Sequence, residues 1–347
     1  MKELRINGTT GVSTLYIGES LQNLKNYLPP CRVVIITDSN VKDTYHKAFP
    51  NAETIEIGVG EKIKNLETVQ FLYEKLIELE VDRSSFIVGI GGGVVCDIAG
   101  FVASTYLRGV KFGFVSSTLL SQVDASVGGK NGVNFGGYKN MVGVFNQPEF
   151  VICDMNLLKT LPKKEVLCGL AEIVKHAAIG DVGLFSYLEG HHEKALRLEQ
   201  DVIERLVWDS VLLKSAIVNR DEKEAGERRK LNFGHTFGHA IEKTLGVPHG
   251  EAISVGMVMA STLSEKRGHL ASEDRERVEA LLKKLELPIR LPLNGEKMLE
   301  ALRKDKKRQS KNIHFVLLHS IGHAIVEEIS IKDLETAMDW MLDARVV

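Results

Sequence analysis

Through the first half of the chain, short uninterrupted apolar runs alternate with stretches whose apolar residues recur at helical spacing. Arg32-Val-Val-Ile-Ile-Thr37 predicts a buried strand, Leu66 to Glu80 predicts an amphipathic helix, and Ser85-Phe-Ile-Val-Gly-Ile90 predicts a second buried strand running into glycines. The apolar pattern then resumes through Ile98 to Leu107. Strands alternating with helices imply a parallel α/β architecture. From about Pro162 the pattern turns to long helical stretches: Lys164 to Ala178, Glu199 to Asn219, Phe237 to Leu245, Glu251 to Arg267 and Ser272 to Leu285. The expectation is an α/β domain over 1–160 and a mainly helical domain over 161–347. The linker is expected near Met155 to Lys164, and the cleft between domains is the default ligand site.

Composition narrows the partners. The chain has 347 residues, 44% hydrophobic and 26% charged, with a formal net charge of -2. That balance gives no electrostatic bias toward nucleic acid or membrane and favours a small-molecule partner. The N-terminus lacks the apolar core of a signal peptide, and nothing reaches the roughly 18 consecutive apolar residues of a membrane span, so a cytoplasmic protein is expected. Cys31, Cys96, Cys153 and Cys168 form no CxxC pair or disulfide framework and are expected to be reduced packing residues.

Chemistry concentrates in a few segments. Arg228 to Glu251 carries His235 and His239 four residues apart on a predicted helix, with His249 after a Gly-Val-Pro turn able to fold it back beside them. Converging imidazoles point to a divalent transition metal, most often zinc; histidines satisfied on a buried helix are the alternative. Gly91-Gly-Gly-Val-Val-Cys-Asp97 joins a strand to a helix, which suits a pyrophosphate but also suits a plain tight turn, and its spelling departs from G-x-G-x-x-G. Asp38 can bind a ribose hydroxyl or cap the helix beginning near Val41. Between Ser117 and Met141, Asp124, Lys130, Lys139 and Asn140 sit among glycines and small residues, a composition that suits a polar, phosphate-holding pocket. Leu119, Leu120, Val123 and Val127 imply that this segment is partly buried. Glu172 and Lys175 lie one turn apart on a strongly apolar helix, so Glu172 either completes a Glu/His/His metal site or pairs with Lys175.

Taken in order, Gly60-Glu-Lys-Ile-Lys-Asn65, Gly91 to Asp97, Thr105-Tyr-Leu-Arg-Gly109, Ser117 to Asn134, Lys139-Asn140, Gly169 to Lys175, Asn232 to Glu242, His249-Gly-Glu251 and Asp305-Lys-Lys307 resemble the 3-dehydroquinate synthase family of sugar-phosphate cyclases. The resemblance implies an N-terminal Rossmann-like nucleotide-binding domain and a helical metal- and substrate-binding domain. It implies zinc or cobalt on Glu172, His235 and His249. Asp38, Glu61, Lys64, Gly93, Val94, Asp97, Ser117, Thr118 and Thr160 would lie around NAD, with Lys130 and Lys139 close by. Asp124, Lys130, Lys139, Asn140, Lys175, Lys214, Arg228, Asn232 and His239 would surround a sugar-phosphate substrate, with Lys306 or Lys307 near its phosphate. Arg108 would reach that phosphate from a neighbouring subunit, implying a homodimer.

The implied reaction converts 3-deoxy-D-arabino-heptulosonate 7-phosphate to 3-dehydroquinate and phosphate. It proceeds by transient oxidation, phosphate elimination, re-reduction and intramolecular aldol closure, on the route to chorismate and the aromatic amino acids. Other cyclases such as 2-deoxy-scyllo-inosose synthase, metal-dependent polyol dehydrogenases and a nucleotide-binding regulatory protein are the competing readings. Asn232 and His239 together favour dehydroquinate synthase over its cyclase relatives. Phe135-Gly-Gly-Tyr138, Ser116-Ser117, Cys96 and the short Glu242-to-His249 connection depart from the family pattern without removing an assigned group. His319 and His323 flank Ser-Ile-Gly between extended segments, where a four-residue spacing does not align imidazoles, and receive no metal role. The basic run Lys304 to Lys311 is expected to be a solvated loop.

Overall fold

A computed structural model describes residues 1–306 and 312–343. Its contacts divide the chain into two compact units, Met1–Leu161 with Lys214–Lys223, and Pro162–Leu213 with the chain from Glu224 onward.

The first unit contains β1 (Lys2–Gly8), β2 (Gly11–Ile17), β3 (Val33–Asp38), α1 (Ser39–Tyr45), β4 (Glu53–Ile57), α2 (Leu66–Glu78), β5 (Phe86–Gly91), α3 (Gly93–Thr105), β6 (Lys111–Ser116), β7 (Lys130–Phe135), β8 (Tyr138–Phe145) and β9 (Phe150–Cys153). Seven strands form one sheet in the order β1-β2-β9-β6-β5-β3-β4, parallel throughout except for the β1–β2 hairpin. Parallel strands covered on both faces need near-continuous apolar sequence. Val34-Ile-Ile36 and Ile87-Val88 supply it, all without solvent exposure. The predicted strands and the α2 helix therefore stand, within one or two residues of their expected ends. β7 and β8 form a separate hairpin whose turn, Gly136-Gly137, has φ of 60° and 79°, a left-handed pair that glycine adopts without strain.

The second unit contains α4 (Lys163–Gly180), α5 (Val182–Leu196), most of α6 (Gln200–Arg220), α7 (His235–Leu245), α8 (His249–Lys266), α9 (Ser272–Lys284), α10 (Gly295–Lys306), the hairpin β10 (Asn312–Ser320) and β11 (His323–Ser330), and α11 (Ile331–Asp343). Each predicted helix is present. α7 starts two residues earlier than its apolar spacing indicated, because Gly234 enters it in the left-handed region at φ 77°. α3 likewise starts at Gly93 rather than at the resumed apolar run, since the glycines continue directly into helix. His319 and His323 lie at the β10–β11 turn, and the hairpin brings their rings to 5.3 Å, against the expectation that this spacing keeps them apart.

Candidate metal centre and nucleotide-binding turn

In the first unit, the strand order reverses between β3 and β5: the chain leaves β3 for the edge strand β4, then returns to the other side of β3 as β5. Ligands of open α/β sheets bind beyond the carboxyl ends of strands at such a reversal. The Thr37 hydroxyl donates to the Ile90 carbonyl at 2.7 Å, tying the two strand ends together. β5 then passes through Gly92 into α3, whose first turn has no side-chain cap. Free amides at that helix start, with the helix dipole, suit a pyrophosphate. A Cβ on Gly91 would lie 2.5 Å from Val95 Cβ, on Gly92 2.9 Å from Thr118 Cγ2, and on Gly93 2.9 Å from Ala125 Cβ. The bare backbone is thus required by packing as well as suited to a ligand.

The residues expected around NAD gather at this end of the sheet. Gly93 and Val94 open α3, and Ser117, whose amide donates to the Gly91 carbonyl at 2.9 Å, follows β6 with Thr118. Asp38 caps α1, accepting from the Val41 amide at 3.0 Å, so its helix-capping role is realised. The Lys64 ammonium is buried, pairs with Asp97 and donates to Asn140 Oδ1 at 2.5 Å. Glu61 faces Lys139 at 3.9 Å. Lys214, in the last third of α6, donates to both the carbonyl and the carboxylate of Asp124 at 2.6 Å. Leu119, Val123 and Val127 bury this segment as expected. Thr160 bonds Tyr45 at 2.6 Å, Lys130 is exposed at the start of β7, and Arg108 is exposed in a left-handed turn at φ 69°.

In the second unit, three side chains from three helices converge. Glu172 on α4 is fully buried; its Oε1 lies 3.6 Å from His235 Nε2 at the start of α7 and 3.4 Å from His249 Nε2 at the start of α8. Each residue offers one ligand atom, all within 4.8 Å of one another. The Glu172–Lys175 pairing is present, through Oε2, while Oε1 faces the two imidazoles.

The approach of these helices rests on glycine. A Cβ on Gly250 would lie 2.5 Å from Cys168 Cα, which sets the start of α8 one turn from Glu172 along α4. A Cβ on Gly256 would lie 2.1 Å from the Gly234 carbonyl oxygen, which brings α8 against the start of α7. The turn Gly246-Val247-Pro248 folds His249 back as its sequence indicated.

The donor set fits a divalent metal. His235 Nδ1 donates to the Phe233 carbonyl at 3.1 Å, which leaves Nε2 as the free lone pair. Burial and the Lys175 charge push His235 down to about 3, so it stays a neutral ligand. His249 Nδ1 lies 3.4 Å from Glu242 Oε2. Burial alone would lower His249, but Glu172 and Glu242 outweigh it and raise it to about 9 in the metal-free protein. One carboxylate oxygen and two imidazole nitrogens, with outer partners on both rings, match the ligands of open zinc-type sites.

His239 stands one turn beyond His235, with ring centroids 5.2 Å apart, and is exposed. Asn232 donates to Glu224 Oε1 at 2.5 Å, and Arg228 is buried in the same short turn, Glu227–Asn232. Residues 304–306 close α10 instead of forming the expected solvated loop, because the helical spacing runs through them; the Lys306 side chain and all of 307–311, Lys307 included, lie outside the described residues. Sequence reasoning gave no role to Glu242, Glu224 or Asn134. Glu242 had a signal, lying seven residues after His235 on the same face of α7.

Profiles described as 3-dehydroquinate synthase N-terminal and 3-dehydroquinate synthase C-terminal match residues 54–168 and 169–308. Curated 3-dehydroquinate synthases are similar along most of their length. That of Geobacter metallireducens is 40% identical over 88% of both chains, and that of Halorhodospira halophila is 42% identical over 90% of this chain and 91% of its own. Among solved structures, a 2-deoxy-scyllo-inosose synthase with carbaglucose-6-phosphate, NAD+ and Co2+ has a TM-score of 0.88 at 26% identity, covering 97% of this chain and 99% of its own. A 2-epi-5-epi-valiolone synthase from Streptomyces hygroscopicus with NAD+ and Zn2+ has a TM-score of 0.87 at 27% identity, covering 99% and 98%. A probable glycerol dehydrogenase from Sinorhizobium meliloti, at 15% identity and a TM-score of 0.70, shares the fold. With both domain profiles matched and relatives at 40% identity or more across the chain, the chain belongs to the 3-dehydroquinate synthase family.

Proposed function

We propose that this chain is a phosphorus-oxygen lyase that converts 3-deoxy-D-arabino-heptulosonate 7-phosphate to 3-dehydroquinate and phosphate, using NAD and one divalent metal. The observation that carries the reading is the convergence of Glu172, His235 and His249 beside Lys175, in a chain whose curated relatives are 3-dehydroquinate synthases. Glu172, His235 and His249 would hold the metal, and the Gly91–Gly93 turn with α3 would hold the NAD pyrophosphate. When bound, a divalent cation supplies Lewis-acid charge of the kind that lowers the pKa of zinc-bound water to about 7. When bound, NAD would supply reversible hydride acceptance, with no net consumption of the cofactor.

The chain's own groups do the rest. Arg228 presents a planar fork suited to the substrate carboxylate. Lys130, Lys139 and Asn140 offer donors to the phosphate, and Glu61 keeps Lys139 near the Lys64 turn. His239 would take and return the proton of the reacting hydroxyl, with Asn232 orienting that group through its amide. The leaving phosphate removes the neighbouring carbon-bound proton, so the site needs no separate protein base there. Lys175 offsets part of the charge of the buried Glu172.

The deciding experiment incubates metal-loaded protein with NAD and the heptulosonate phosphate, following phosphate and NADH together and identifying the product by mass spectrometry. Phosphate with dehydroquinate and no lasting NADH is expected. Stoichiometric NADH would indicate a dehydrogenase. Turnover of glucose 6-phosphate in place of the heptulosonate would indicate an inosose-forming cyclase.

The same reading makes the protein a cytoplasmic homodimer in which Arg108 serves the partner's site, supported by the exposure of Arg108 on its left-handed turn. Mixing inactive Arg108→Ala and His235→Ala proteins under subunit exchange should restore about a quarter of wild-type activity, because half the dimers then hold one intact site. No recovery in verified mixed dimers rules out the shared arginine.

A further inference from the structure

We propose that Asn134 is a positioning residue that holds Asn140 in its working pose by replacing a broken stretch of strand pairing. The β7–β8 ladder runs in register from Lys130 opposite Phe145 to Val133 opposite Val142, and is next paired at Phe135 opposite Tyr138. In the interval β7 contributes Asn134 alone, while β8 contributes Lys139, Asn140 and Met141. Regular pairing cannot fix one residue against three, and such irregularities re-aim side chains. Asn140 sits there in the left-handed region at φ 51°, a conformation that asparagine tolerates better than most residues but that still requires holding.

The hold comes from one amide head. Asn134 Oδ1 accepts the Asn140 backbone N–H at 2.9 Å, and Asn134 Nδ2 donates to Glu61 Oε1 at 2.8 Å. The Asn134 backbone N–H donates to the Lys64 carbonyl at 2.8 Å. Lys64 closes the ring by donating to Asn140 Oδ1 at 2.5 Å while pairing with Asp97. A side chain at 134 must therefore accept and donate from a single planar group at this reach, which aspartate, serine or leucine cannot do. The inference rests on the synthase reading for its consequence, since that reading assigns Lys139 and Asn140 to the substrate phosphate and Glu61 and Lys64 to NAD. Its geometric part does not depend on the reaction.

The test is a double-mutant cycle with an exchange measurement beside it. Asn134→Ala should lower kcat/KM for the heptulosonate phosphate about 100-fold, the scale of a small misplacement of reacting groups. In an Asn140→Ala background the same change should cost less than about threefold, because the group it positions is gone. A purely structural defect would instead multiply with Asn140→Ala, and that result overturns the proposal, as does an unaltered kcat/KM in Asn134→Ala. Independently of turnover, the Asn140 backbone amide should exchange at least about tenfold faster in Asn134→Ala, with the Val133 and Val142 amides unchanged. Asn134→Leu, which keeps the bulk and loses both side-chain bonds, should speed that amide by the same factor, and it serves if the alanine variant does not fold. An Asn140 amide that stays slow in the leucine variant would refute the assigned contact. If the wild type has no synthase turnover, the reaction reading fails, and the Asn140 exchange rates still decide the positioning.

Discussion

His235 and His249 present the same nitrogen to Glu172 but differ at the other: His235 Nδ1 meets a neutral carbonyl, His249 Nδ1 the Glu242 carboxylate. Outer carboxylates raise ligand basicity, and their loss typically costs 10- to 100-fold in metal affinity. Glu242→Gln should therefore weaken zinc binding by about that factor in a chelator competition, with the folded signal retained; affinity equal to wild type would remove Glu242 from the site. Because His249 is raised to about 9 in the metal-free protein, an incoming ion must displace its proton at neutral pH. Affinity should accordingly rise with pH up to about 9, by roughly tenfold per pH unit for the one proton released. At this scale the sequence was partly legible. Two imidazoles on one helix face and a carboxylate on an apolar helix announce themselves by spacing. The Asn134 bonds depend on a break in strand pairing that no residue pattern records.

Among the elements, the helix pairs of the second unit were readable from apolar periodicity, but their separations were not. The start of α8 can touch α4 only because residue 250 has no side chain. Gly250→Ala would gain up to about 1 kcal/mol of helix propensity and lose about 1–3 kcal/mol to overpacking. It should also push His249 from Glu172, so zinc affinity should fall more than about tenfold even where Tm drops by only a few degrees. Calorimetry and metal titration on the same variant check both, and unchanged affinity would mean that the contact does not set the site. The helix starts at Gly93 and His235 are not legible in the sequence, for a related reason. Glycine reads as a turn in sequence, yet at both places it admits the backbone to a helix without a polar cap. The sequence marks the β7–β8 hairpin only as a polar, partly buried segment, since its register is interrupted at 134 and 139–141.

For the molecule as a whole, the two candidate sites fall in different compact units, the glycine turn in one and the Glu/His/His cluster in the other. Each ligand should stabilise its own unit by mass action, about 2.7 kcal/mol at 100 times Kd. Hydrogen exchange should then show NAD alone slowing β5 and α3, and zinc alone slowing α4, α7 and α8; protection in the reverse pattern would refute both assignments. The alternation of strands and helices and the later helical run were legible across the chain, because burial on both faces of a sheet and on one face of a helix leaves distinct periods. That α6 carries Lys214 into the first unit was not, since an unbroken amphipathic pattern marks no boundary. The glycines between α7 and α8 bear on attempts to make the protein more heat-resistant. Exchanging helical glycine for alanine is a standard stabilising change, but at 238 and 256 the new methyl group would meet neighbouring atoms at 2.6 and 2.1 Å, and at 234 it would also force alanine to φ 77°. A laboratory selection for thermal tolerance should therefore leave these positions untouched and gather its substitutions on surfaces away from them.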